Sequence, residues 1–167
     1  NRGGKFKVNA LDIKQNTINN FNKNLLLVYT GLKRTAHEIA KSYVNKLRTS
    51  KKTYILEITN LVNEAEKALK EGRLNDFGKL LHKSWLLKKK LSLSITNSKI
   101  DEIYNSALKQ GALGGKLLGA GGGGFFVFYV PYFKQKRFIN YFKKFITIPF
   151  KFTSEGSKIM FKNFDKQ

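Results

Sequence analysis

The chain has 167 residues, of which 41% are hydrophobic and 13% aromatic, enough to fill one domain core and too apolar for a disordered segment. It contains no cysteine, which excludes a disulfide framework and a thiolate metal site and makes the cytosol the default compartment. The formal charge of +21 invites a nucleic-acid partner, but only five of the 32 basic residues are arginines, and the lysines are spread along the chain rather than gathered in a block.

No base-reading motif accompanies the charge, so affinity for phosphate in some form is expected ahead of nucleic-acid binding. No charged segment followed by an apolar one opens the chain, so no signal peptide is visible. The longest uncharged run, Leu117 to Phe133, holds seventeen residues with five glycines and Pro131. A membrane span needs roughly twenty mostly apolar residues. A cytoplasmic protein without membrane contact is the expectation.

In chain order, residues 5–8 and 11–13 are short apolar stretches that read as strand remnants. Leu25 to Tyr29 is a continuous apolar run closed by Thr30-Gly31, as in a strand buried on both faces. Helical stripes follow at Ala36 to Leu47, at Ile55 to Leu69 before Gly72, and at Leu74 to Leu91. Ser98-Lys99-Ile100-Asp101 has capping-box spacing and opens a fourth helix, which Gly111 is placed to end. Phe125 to Val130 predicts a strand, Phe138 to Phe145 a fifth helix, and 148–152 with 157–161 an antiparallel pair around Ser154-Glu155-Gly156. Strands separated by helices and closing in an antiparallel pair predict an α+β fold, a ferredoxin-like layer sandwich with helices packed on one face of an antiparallel sheet.

The stretch Gly111 to Pro131, GALGGKLLGAGGGGFFVFYVP, places eight of the chain's fourteen glycines in fourteen residues. Glycine costs about 0.5–1 kcal/mol relative to alanine inside a regular element, so the run opposes helix and strand alike. One reading is a tight helix-to-strand connection where backbones pack closely. The other is a loop whose successive N–H groups cup an anion. Gly119 to Gly124 satisfies G-x-G-x-x-G by letter, but a helix precedes it and a strand follows, the reverse of the dinucleotide fingerprint. Gly115-Lys116 is followed by Leu117, so no Walker A loop is present.

The segment Gly114-Gly115-Lys116-Leu117-Leu118-Gly119-Ala120-Gly121-Gly122-Gly123-Gly124 resembles the third motif of the GHMP kinases. The stretches Leu27 to Ala36, Asp76 to Trp85 and Leu87-Lys88-Lys89 are similar to its sugar-kinase branch, nearest to the heptose 7-phosphate kinases, and the resemblance runs from about Asn24 to Phe161. It implies a C-terminal domain over 24–167, with 1–23 a linker or a remnant of an N-terminal domain. It also implies transfer of the γ-phosphoryl of ATP, with Mg²⁺, to a sugar phosphate. The family's N-terminal phosphate loop is not among these residues, nor is the branch's catalytic aspartate. A missing N-terminal kinase domain is therefore the implied partner, and no catalytic residue is expected in this chain. The start at Asn1 fits an excised fragment.

The loop Lys116, Gly119, Ala120, Gly121, Gly122, Gly123 and Gly124 is then the candidate to approach the nucleotide phosphates. Thr30, Gly31 and Arg34, where a strand end meets a helix start, are candidates for the substrate's own phosphate. Trp85 is a candidate to stack on the sugar, with Lys88 beside it. His82 and His37 have no metal-ligand spacing, so no protein metal site is expected. A stand-alone, noncatalytic phosphate- or nucleotide-binding module is the alternative from another class, and a basic nucleic-acid binder a third.

Overall fold

Rich in aliphatic side chains and free of turn residues, LLLVY forms strand β1 (Leu25–Tyr29) at the centre of a four-stranded sheet in the computed structural model of the chain, which describes residues 8, 10–33, 36–153 and 156. The other strands are β2 (Gly114–Leu117), β3 (Phe125–Tyr129) and β4 (Thr147–Pro149), in the order β2-β3-β1-β4. Every adjacent pair is antiparallel. This is the ferredoxin-like strand order, with the first crossover enlarged to four helices. Those are α2 (Ala36–Val44), α3 (Lys52–Lys70), α4 (Leu74–Lys89) and α5 (Ser98–Lys109), while α1 (Gln15–Lys23) precedes the sheet and α6 (Gln135–Tyr141) joins β3 to β4.

Register explains the core. Leu26 pairs with Phe128, and Val28 with Phe126, so these four side chains share one face. There they meet Trp85 of α4, Ile100, Ile103 and Tyr104 of α5, and Phe138 of α6. Each fully buried side chain of this size stabilises the fold by roughly 1.5–3 kcal/mol. A smaller cluster of Phe21, Leu25 and Tyr129 covers part of the opposite face, with Leu69 and Phe77 against it. Phe21 belongs to α1, so the packed unit begins before residue 24.

Three expectations need correction. The glycine segment does not join a helix to a strand. Its first part, Gly114-Gly115-Lys116-Leu117, is itself the edge strand β2, paired with β3. Two glycines in four residues hide a strand from any propensity reading. Asn97, not Ser98, caps α5, its side chain accepting the Ile100 N–H at 3.0 Å, while the Asp101 carboxylate accepts from Thr96 and pairs with Lys89 at 3.0 Å. The stretch 11–13 forms no strand, whereas most of 5–8 lies outside the described residues. Of the strand expected over 148–152 only 148–149 fall in β4, which pairs with β1, and 150–152 form no strand; the companion expected at 157–161 lies outside the described residues.

α4 is pressed onto β2. A Cβ on Gly114 would collide with the Gly78 carbonyl and stand 2.6 Å from the His82 amide nitrogen, so helix and strand backbones touch directly. This crossing brings the last turn of α4 under the loop that follows β2.

Candidate functional site

Residues 118–124 close the β2–β3 hairpin, with the Leu118 N–H donating to the Phe125 carbonyl at 2.8 Å. Two neighbouring segments grip the loop by backbone. The Gly122 N–H donates to the Ile95 carbonyl and the Gly124 N–H to the Leu32 carbonyl, both at 2.9 Å. The grip is tight. At Gly121, where φ is +130°, a Cβ would stand 2.8 Å from the Ile95 Cα, and at Gly123 it would stand 2.5 Å from the Leu32 carbonyl oxygen. Part of the glycine run thus serves close backbone approach rather than a ligand.

The rest is open. A Cβ on Gly119 or Gly124 would meet nothing within 4 Å. Among the described residues the N–H groups of Gly119, Ala120 and Gly121 have no hydrogen-bond partner, three successive donors along one stretch. φ is positive at Gly119 and Gly121 and negative at Ala120, so the backbone changes hand along this stretch.

A lysine fastens the loop from below. Lys88, in the last turn of α4, is only 8% exposed, and its Nζ donates to the Leu117 carbonyl at 3.2 Å and the Gly119 carbonyl at 2.5 Å. Burial, with a smaller contribution from the charge on Lys116, drives the Lys88 ammonium down from the ordinary 10.5 to about 8. Between those values the unfolded chain binds more protons than the folded one, so this residue makes stability rise with pH. The penalty for burying the charge is whole below about pH 8 and gone above about 10.5. The stability of the wild type relative to Lys88→Met is therefore expected to increase from pH 8 to 10.5, as read by paired thermal melts. Tyr104 and Tyr129, both raised by burial, act the other way above pH 10 but equally in both proteins.

The remaining candidates fall unevenly. Thr30 is buried, and its hydroxyl donates to the Gly124 carbonyl at 2.8 Å while accepting the Leu32 N–H at 3.2 Å. It builds the loop's wall and has no free hydroxyl for a substrate. Gly31, exposed with φ at +73°, sits at the tip of the turn that grips Gly124. Arg34 lies outside the described residues. Lys116 faces α4, its Nζ 3.4 Å from Ser84 Oγ, and not the glycine loop; burial lowers its pKa. Trp85 is a correction: it is 0% exposed, set edge-on to Phe126 and tilted against Tyr104, so it cannot stack on a sugar. His82 Nδ1 lies 2.8 Å from the Tyr104 hydroxyl.

The structure therefore unites the 30–32 turn, Lys88 and the 118–124 loop, three segments far apart in sequence. It leaves out Trp85 and Lys116. The carbonyls of Leu32 and Ile95 had no signal in sequence, because any residue type offers a carbonyl.

The site is thus an α+β domain's hairpin loop with three unpartnered amides above and a buried lysine below. Residues 65–146 match the family described as GHMP kinases C terminal. A D-glycero-alpha-D-manno-heptose 7-phosphate kinase of Campylobacter jejuni is 34% identical over 157 residues, which are 90% of this chain and 45% of that protein. An L-fucokinase/L-fucose-1-P guanylyltransferase of Bacteroides fragilis is 34% identical over 103 residues, 60% of this chain and 11% of that one. A mevalonate kinase crystal structure superposes with a TM-score of 0.64 at 31% identity, covering 87% of this chain and 44% of that one. The chain belongs to the GHMP kinase family, as its C-terminal domain. It spans less than half the length of these relatives.

The residues at hand do not fit a magnesium site. No group of three or more His, Cys, Asp or Glu comes together among the described residues, and the segment 114–124 contains no carboxylate. Among the described residues, no helix is long and apolar enough to cross a membrane.

Proposed function

We propose that this chain is the C-terminal domain of an ATP-dependent sugar-phosphate kinase, that its substrate is a heptose 7-phosphate, and that the 119–124 loop lies against the nucleotide phosphates. The observation that carries this reading is the run of three unpartnered amides at Gly119, Ala120 and Gly121 above the buried Lys88, inside the family segment. Phosphoryl transfer is mainly positioning and charge stabilisation, and such a loop supplies donors without side chains that would obstruct the phosphates. The 34% identity to a heptose 7-phosphate kinase favours that sugar, while the likeness to a mevalonate kinase leaves other alcohols as competitors.

The exposed turn at Gly31, with Arg34 beyond it, is the proposed seat of the substrate's own phosphate, because that turn touches the glycine loop. The phosphate loop, the catalytic aspartate and any ligands for magnesium belong to an N-terminal domain, the proposed partner. The cytoplasm is the proposed location.

The test is ADP formation by the native polypeptide with Mg–ATP and, in turn, heptose 7-phosphate, fucose and mevalonate. Turnover with heptose 7-phosphate and little with the others is expected. ATP binding without turnover on any sugar would leave a noncatalytic nucleotide module instead.

A further inference from the structure

The peptide unit between Gly119 and Ala120 has its two polar ends in different situations. Its carbonyl is drawn inward by Lys88, which is buried. No peptide bond among the described residues is cis, so the Ala120 N–H points the opposite way, away from Lys88. Gly119 is exposed at this point, and the Ala120 side chain packs against the main core, which fixes the plane. The preceding contact repeats the logic: Lys88 holds the Leu117 carbonyl, and the Leu118 N–H on the other side reaches Phe125. By contrast, the Gly122 and Gly124 N–H groups are spent on Ile95 and Leu32, which directs the carbonyls of Gly121 and Gly123 away from those partners.

We propose that Lys88 is a positioning residue, which by holding the Leu117 and Gly119 carbonyls presents the Ala120 N–H as the loop's principal donor to a phosphate oxygen. Lys88 itself touches no substrate in this arrangement. A buried ammonium usually pairs with an acidic side chain, yet the partners that the geometry gives Lys88 are two carbonyls of one loop. The phosphate part of this inference rests on the kinase reading; the positioning part does not.

The experiment uses Lys88→Met, with Lys116→Met as a control that removes the neighbouring charge without touching either carbonyl. Hydrogen exchange is followed residue by residue, and the apparent KM for Mg–ATP is measured on the native polypeptide. In Lys88→Met the amides of Leu118, Gly122 and Gly124 are expected to exchange about tenfold faster, as for loss of a charge-assisted hydrogen bond, with Leu26 and Val28 unchanged. The KM for Mg–ATP is expected to rise more than kcat falls. Lys116→Met should leave exchange at Leu118 as it was.

Unchanged exchange across 117–124 in Lys88→Met, or equal acceleration in both variants, would overturn the positioning role. Should Lys88→Met not fold, through-hydrogen-bond coupling from Lys88 Nζ to the Leu117 and Gly119 carbonyl carbons in the unmodified protein decides the matter, its presence supporting the role and its absence refuting it. Faster exchange with no response to ATP in either protein would keep Lys88 as a positioning residue and refute the phosphate-donor role of Ala120, together with the kinase reading.

Discussion

Gly114→Ala is expected to destabilise the protein by about 3 kcal/mol, at the upper end for overpacking a close contact, and to lower its melting temperature by about 10 °C. The reason is the kind of atoms that obstruct the new methyl group. They are the Gly78 carbonyl and the His82 amide nitrogen, both helix backbone, which cannot rotate aside as a side chain can. Relief requires α4 to lift off β2. Lys88 rides on α4, so the same shift would draw its Nζ away from the Leu117 and Gly119 carbonyls. Thermal melts followed by circular dichroism read the first effect, and exchange at Leu118 reads the second. A melting temperature within 2 °C of wild type, a margin of less than about 1 kcal/mol, would mean that the crossing is looser than this geometry.

Trp85→Ala is expected to cost about 4 kcal/mol, the range for removing a large aromatic from a close-packed core. Trp85 is among the largest fully buried side chains and bridges Tyr104 and Phe126. Its Nε1 is buried without a hydrogen-bond partner. Trp85→Phe should therefore be much milder, near 1 kcal/mol, because it forfeits volume but also removes an unsatisfied donor. A residue that stacked on sugar would behave otherwise, changing the KM for sugar while leaving the melt alone. Denaturant titration of the two variants separates these behaviours.

Much of this architecture was legible in residue periodicity. The β1 run, the apolar stripes of α3, α4 and α5, and the glycines at 72 and 111 where two of those helices end all follow from pattern and backbone chemistry. β2 was not legible, because Gly114 and Gly115 carry no strand preference and owe their conformation to tertiary contacts with α4 and β3. α1 escaped for a similar reason. In QNTINNFNK only Phe21 is fully buried, with Thr17 and Ile18 half-buried beside it, so the apolar face is too short and polar to stand out in the sequence.

At the site, the glycine run pointed to the right loop but not to its division of labour. Sequence could not say that Gly121 and Gly123 face backbone while Gly119 faces open space. Nor could it separate Trp85 from Lys88. Both lie on α4 three residues apart, yet one points into the core and the other up to the loop.

The kinase reading proposed above places the loop after β2 against nucleotide phosphate. Hydrogen exchange of the native polypeptide with and without Mg–ATP tests it most directly. Protection of the Gly119, Ala120 and Gly121 amides, which have no partner among the described residues, is expected, with little change at Gly122 and Gly124, which are already bonded. Exchange at 119–121 that is identical with and without saturating Mg–ATP would contradict it.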